Sequence, residues 1–256
     1  MPGILHVANG KATAGKLAKA GVDGRIVSHD DVLTDGPFPP DLPPSKAWAH
    51  RAGWMAKHHG ADGPRYLVEE MALERLIARH DGDLVVWSDA DCLHCSLNLL
   101  HLLRLPTKAR LMLASPPGGR LGERAPQELA AVVPEPVAAA HVALAKTACR
   151  LLAAGDQAKL HAFVNTELAA WPAMQSALRL RLRMPRLLDT AVLERLAGGP
   201  ATLADLAAAL ADDADLSRLG YGDASLLVHV KGMQEAGLVT LGDDGVIRPV
   251  RPGHPI

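Results

Sequence analysis

Four short apolar runs, separated by segments with helical periodicity, constrain the fold of this chain more than any other feature. They fall at residues 4–8, 25–28, 83–87 and 110–114, each bounded by Gly, Pro, Asp or another charged residue. Between them, 14–20 reads as a short helix closed by Gly21, a residue that tolerates the left-handed backbone of a helix end. Residues 65–79 place Leu67, Met71, Leu76 and Ile77 near helical spacing, and 97–105 reads as a helix stopped by Pro106. Strands alternating with helices predict βαβ units. The expected fold class is α/β: an open, mostly parallel sheet with flanking helices, Rossmann-like, over residues 1–122. The stretch 36–44, GPFPPDLPP, is too rich in proline for a helix or a central strand and is expected to be a rigid surface loop.

The second half of the chain changes character. After a break at 115–122, the segments 127–132, 137–153, 156–169 and 172–184 read as consecutive helices, predicting a helical region over 123–186. From 187 to 256 a third pattern begins. A helix over 188–196 ends at Gly198-Gly199. Thr202-Leu203-Ala204-Asp205 resembles a capping box that starts a second helix, and Asp223 can cap a third that runs through Glu235. Two apolar runs, 238–241 and 246–250, flank Gly242-Asp243-Asp244-Gly245, a strong turn sequence. Three helices followed by a hairpin predict a winged-helix-like domain.

With 256 residues the chain is long enough to bury a core without metal or disulfide staples. Only 3% of residues are aromatic, so Leu, Val and Ala must fill that core. Lys plus Arg total 27 and Asp plus Glu 28, a balance with no global pull toward nucleic acid or anionic lipid. No run of ~18 apolar residues is present, so no membrane partner is expected. The opening MPGILHVANGKA does not read as a signal peptide, and three cysteines do not suggest a disulfide framework. The expected location is cytoplasmic.

Ligands of open parallel sheets bind beyond the carboxyl ends of the strands. The first run is followed by Asn9, Gly10, Lys11 and Thr13, and the second by His29, Asp30, Asp31, Asp35 and Gly36. The third is followed by Ser88, Asp89, Asp91, Cys92, His94, Cys95 and Asn98. The expected site therefore uses Gly10, Lys11, Thr13, Asp30, Gly36, Asp89, Cys95 and Asn98 to bind ligand. Asp31 or Asp91 is the expected general base if chemistry occurs. No cofactor is assigned and enzymatic activity stays open.

Within this edge, GKATAGKL over 10–17 matches a phosphate loop except at Leu17, where the hydroxyl that would hold Mg²⁺ is missing. A triphosphatase is therefore not expected, although helix N-terminal amides with Lys11 and Lys16 would suit an anion. Cys92-Leu93-His94-Cys95 has the placement of a redox pair, but two partly buried thiols are favoured. Zinc on Cys92, His94, Cys95 and His101 lacks a second ligand pair at standard spacing, although His58-His59 could contribute from elsewhere, so no metal is assigned. DNA binding by the winged helix is disfavoured, because the third helix offers His229 and Lys231 against Asp223 and Glu235.

Several short motifs in order resemble the bacterial family known as domain of unknown function 1835. Leu5-His6-Val7, Gly10, Ala14 and Leu17 are similar to its opening "HV-x-x-GD". His29-Asp30-Asp31-Val32-Leu33 with Gly36-Pro37 is similar to its "W-x-D-x-L-x-x-GP". Trp87, Asp91 and Cys95-Ser96-Leu97-Asn98-Leu99 resemble its "WFEHDLF(C/D)Q-x-N-L". The likeness continues through Leu121-Gly122-Glu123 and Trp171-Pro172 to Pro185 and spans most of the chain. Lys11 stands where the family usually has Asp, Ser88 where Phe is common, and Cys92 is not a usual family residue. One residue is inserted between Trp87 and Cys95. The resemblance implies a fold and the position of a site, and no reaction. The leading expectation is a small anionic or nucleotide-like ligand at the sheet edge. The alternative is a non-enzymatic regulator that uses the winged helix on DNA or protein.

Overall fold

A computed structural model describes residues 3–40, 42–90, 92–116, 120–213, 216–219 and 223–250. By its contacts the chain divides into two compact units, Met1–Arg179 and Leu180–Ile256.

The first unit opens with β1 (Ile4–Asn9), α1 (Lys11–Lys19), β2 (Arg25–His29), α2 (Pro44–His59), α3 (Gly63–Arg79), β3 (Asp83–Trp87), α4 (Leu93–Arg104) and β4 (Arg110–Ala114). It continues with α5 (Pro126–Ala130), β5 (Glu135–Pro136), α6 (Ala139–Ala154) and α7 (Gln157–Asn165). The five-stranded sheet has the order β2-β1-β3-β4-β5. The first four strands are parallel, and β5 pairs antiparallel to β4 at the edge. Central strands covered on both faces read as unbroken apolar runs. This is why DLVVW in β3 is buried from Leu84 to Trp87. Val85 and Trp87 pack with Ala8, Leu17, Ala114, Leu121 and Leu129 on the face covered by α1 and α5. Leu84 and Val86 point to the opposite face, as the two-residue period requires.

Several expectations give way here. The sequence reading missed α2, which starts in the last proline of the Pro-rich stretch. Pro44 takes a first-turn position where a missing N–H costs nothing, and Gly60, at φ 65°, closes the helix. The two-residue β5 was also missed. Residues 126–165, expected as part of a separate helical region, fall in the same compact unit as the sheet. Two expected helices, split at Pro185, form one: α8 (Pro172–Ala197) carries Pro185 inside it.

The second unit contains the rest of α8, then β6 (Ala201–Thr202), α9 (Leu203–Ala211), α10 (Asp223–Glu235), β7 (Val239–Leu241) and β8 (Val246–Pro249). Its sheet is antiparallel in the order β6-β8-β7. Thr202 and Asp205 form the expected capping box at the start of α9. Val192, Leu196, Leu206, Leu226, Val230 and Ile247 are buried together as the core of this unit. The tight turn between β7 and β8 is closed by the Gly242 amide donating to the Val246 carbonyl at 3.0 Å. Among the described residues no helix is long and apolar enough to cross a membrane.

Candidate functional site

The order β2-β1-β3-β4 creates a switch point. From β1 the chain moves through α1 to β2 on one side; from β2 it returns through α2 and α3 to β3 on the other. The two connections diverge at the carboxyl ends of β1 and β3, the place where ligands of open parallel sheets bind. Asn9 ends β1, and α4, which follows β3, carries His94, Cys95 and Asn98 into the same place. The Asn98 amide Nδ2 donates to Asn9 Oδ1 at 2.6 Å and to the Asp31 carbonyl at 3.1 Å. Asn9 Nδ2 in turn donates to Cys95 Sγ at 2.7 Å. Asn98 is only 2% exposed, yet its Oδ1 has no partner among the described residues, and neither does the buried Nδ1 of His94. His94 Nε2 lies 3.4 Å from the Asn98 amide nitrogen, whose two N–H groups are already given to Asn9 and Asp31, so either ring nitrogen can carry the proton. Burial, helped by the nearby His29 and Arg51 charges, pushes His94 down to about 4, so its ring is neutral.

A buried polar layer holds this edge in place. Arg51 of α2 sends Nη2 to Asp31 Oδ1 at 2.7 Å and Nε to Asp31 Oδ2 at 2.8 Å. Its remaining N–H groups donate to the carbonyls of Val32, Asp35 and Pro37. One guanidinium thereby fixes the loop after β2. Next to it, His29 Nε2 lies 3.4 Å from Glu70, and His59 Nε2 lies 3.3 Å from Asp35. Burial opposes a charge on His29, but Glu70, with Asp31 and Asp30, outweighs it and raises the imidazole above its ordinary value. His101 behaves oppositely. Burial, then the Arg104, His29 and Arg51 charges, hold it well below that value. Arg104 Nε donates to His101 Nδ1 at 3.2 Å, so the other ring N–H faces Glu74 at 3.5 Å.

The residues expected from sequence meet different fates. Asn98 and Cys95 join Asn9 at the switch point. Asp31 contributes its carbonyl there, but both its carboxylate oxygens are taken by Arg51. A general base needs a lone pair aimed at the substrate, so the expected catalytic role of Asp31 gives way to that of an anchor. Asp91 lies outside the described residues. The Gly10 loop is not an open phosphate cradle, because α1 begins at Lys11, directly after Gly10 (φ 86°). Its first amide already receives an anion of the protein's own, Asp30 Oδ1 at 2.9 Å. Lys16 is turned away, donating to the carbonyls of Gly122 and Arg124. Lys11 remains 83% exposed, 3.8 Å from Asp30 Oδ2. Thr13 is buried inside α1. Asp89 does not face a ligand: both its oxygens accept the Leu121 amide at 3.0 Å, tying the loop after β4 to the end of β3. Gly36 (φ 68°) is required by packing, since a Cβ there would fall 2.5 Å from the Trp54 ring.

Cys92 caps α4, accepting from the Cys95 amide at 3.5 Å. The contact between the two thiols lowers Cys92, while the same contact and burial drive Cys95 upward. Among the described residues no three His, Cys, Asp or Glu side chains converge as metal ligands.

The sequence reading missed Arg51, Glu70 and Glu74. The signal was present in their spacing. Trp48, Arg51, Ala52 and Met55 form the buried stripe of α2, and Glu70, Glu74 and Ile77 that of α3. A charge inside an apolar stripe marks a buried partner rather than a solvated face. On α4, His94, Asn98 and His101 share one face in the same way. No protein-family profile and no curated protein matches the chain.

Proposed function

We propose that the chain binds a small nucleotide-like molecule at the carboxyl edge of its N-terminal sheet. The polar edge of the ligand meets His94 and Asn98, and its anionic part lies toward Lys11. One observation carries this reading: two buried polar atoms, the His94 Nδ1 and the Asn98 Oδ1, sit one helical turn apart at the switch point with no partner among the described residues. Leaving such groups unpaired costs about 1–3 kcal/mol each. An amide-like or nucleobase edge offers a donor for the Asn98 oxygen and, beside it, a donor or acceptor that either tautomer of His94 can meet. The exposed Lys11, only loosely paired with Asp30, adds an accessible positive charge at the rim. The resemblance to domain of unknown function 1835 supports the same edge, and Lys11 in place of that family's Asp favours an anion over a cation. Calorimetric titration of the full chain with AMP, GMP, CMP and UMP tests the proposal. At least one should bind saturably, and Asn98→Leu should weaken it at least about tenfold, the equivalent of one good hydrogen bond. No saturable binding by any of the four, or equal binding by the folded variant, rejects it.

A second reading concerns the unit Leu180–Ile256. Helix, strand, two helices and two strands, with the sheet order β6-β8-β7, support a winged-helix-like arrangement. A protein partner suits it better than DNA. Arg248 is bound by Asp244 at 2.7 Å, and Lys231 is exposed on the same helix as Glu235.

A further inference from the structure

A cavity of about 780 Å³ lies at the other end of α4 from the switch point, and it gathers an unbalanced set of charges. Arg75 of α3, Arg104 of α4, and Lys146 and Arg150 of α6 line it, against a single carboxylate among the described residues, Glu74. That carboxylate is turned inward: its Oε1 accepts from Trp48 Nε1 at 2.9 Å and lies 3.5 Å from His101. Burial also pushes it above the usual carboxylate range, which favours its neutral form. Arg75, Lys146 and Arg150 are exposed and have no ion pair or side-chain hydrogen bond among the described residues. Arg104 is already oriented. Its Nε is held by His101, its Nη1 reaches the Pro40 carbonyl at 3.3 Å, and its Cζ lies 5.9 Å above the Phe38 ring. Pro43 and Pro44, at the start of α2, complete one wall. That helix has neither a side-chain cap nor an acidic residue in its first turn, so its positive end adds to the same field.

Four cations around one concave volume, with the only carboxylate of its described lining engaged elsewhere, favour a multiply charged anion there over a neutral ligand. The volume lies in the range of small-molecule pockets, and Leu42 and Pro106 give it an apolar rim. Guanidiniums on three different elements suit the several oxygens of a phosphate group, which accepts paired N–H donors.

We infer that this cavity is a second binding site, separate from the sheet-edge site, and that it takes a small phosphate-bearing molecule through Arg75, Arg104, Lys146 and Arg150. The site does not depend on what binds at Asn98.

Inorganic pyrophosphate is the probe, titrated calorimetrically into the full chain at low and at ~150 mM salt. Saturable binding is expected, with a Kd of about 0.1 mM or tighter at low salt. Arg75→Ala and Arg150→Ala change exposed side chains and should leave the fold intact, checked by circular dichroism. Each should weaken pyrophosphate about tenfold. Arg79→Ala removes an exposed charge from α3 that does not line the cavity. It is the control for net charge and should change the Kd less than about twofold. Asn98→Leu should leave pyrophosphate binding unaltered. Absence of saturable binding, or an Arg79→Ala loss as large as that of Arg75→Ala, overturns the inference. A loss in Asn98→Leu alone would place the anion at the sheet edge and overturn it as well.

Discussion

Arg51 and Asp31 form a two-point ion pair with neither side chain more than 1% exposed, and the same guanidinium holds three carbonyls of the loop that follows β2. The pair is therefore a strut for the candidate site. Removing one partner strands a buried charge, which costs about 3–5 kcal/mol, whereas replacing both with apolar groups costs much less. Arg51→Met should lower unfolding stability by that amount, and Arg51→Met with Asp31→Leu should recover part of it. Urea unfolding followed by tryptophan fluorescence measures both, with Trp48 and Trp54 lying on the same helix as Arg51. An Arg51→Met protein within about 1 kcal/mol of the parent would show that the strut carries no load.

The two histidines of this layer predict opposite pH dependence. His94 falls from its ordinary 6.5 to about 4 in the folded chain. Between those values the unfolded chain takes up a proton that the folded chain refuses. The stability it contributes is full above pH 6.5 and is lost as pH falls toward 4, by about 3 kcal/mol. His29 is raised, so its contribution is complete below 6.5 and is lost as pH climbs through its folded value. In unfolding series from pH 4 to 9, His94→Gln should flatten the acid limb and His29→Gln the alkaline one. Variant profiles that run parallel to the parent would contradict both assignments.

The sheet was legible in the sequence because its strands are buried apolar runs with sharp borders: β3 and β4 were read to the residue, and β1 and β2 to within one. α2 was not. Its buried stripe includes Arg51 and its preface is proline-rich, so composition argued against a helix where packing made one. Pro185 read as a stop, yet α8 continues through it. At the site, Asn98 and Cys95 were legible because they follow a strand on the first turns of a helix. The roles of Asp31 and Asp89 were not, since each is decided by a partner distant in sequence: Arg51 for one, the Leu121 amide for the other. The helix start at Lys11 was hidden by its likeness to a phosphate loop. The closure of that helix end by Asp30 is a contact across 19 residues.

Thiol chemistry should discriminate between the cysteines of α4. Cys92 is partly accessible and its thiol is lowered; Cys95 is 6% exposed and raised, and Cys149 is 1% exposed. Iodoacetamide at neutral pH should modify Cys92 first, as read by peptide mass spectrometry, because the thiolate is the reactive form. The double variant Cys92→Ser, Cys95→Ser should fold, with a cost of about 1–2 kcal/mol for the lost cap and the altered Asn9 contact. Cys95 reacting as fast as Cys92 would mean that α4 opens readily at its start.

DNA should not be a tight, specific partner. The Asp244 carboxylate is drawn down to about 2 by its bond to Arg248, so the turn between β7 and β8 presents an ion pair rather than a free cation. Fluorescence anisotropy of the full chain with random-sequence duplexes at ~150 mM salt should give only weak, salt-sensitive binding. Selection from a random duplex pool should enrich no site. An enriched site bound at nanomolar affinity, and lost in Lys231→Ala, would make the second unit a reader of DNA.

If the buried pair His94 and Asn98 completes its hydrogen bonding with a small ligand, the protein should carry that ligand out of the cell. Native mass spectrometry of the full chain as isolated from cells, compared with Asn98→Leu prepared in parallel, tests it most directly. The parent should show a discrete small-molecule adduct that is absent from the folded variant. A parent protein that carries no adduct, or an adduct retained undiminished when Asn98 is replaced, would contradict it.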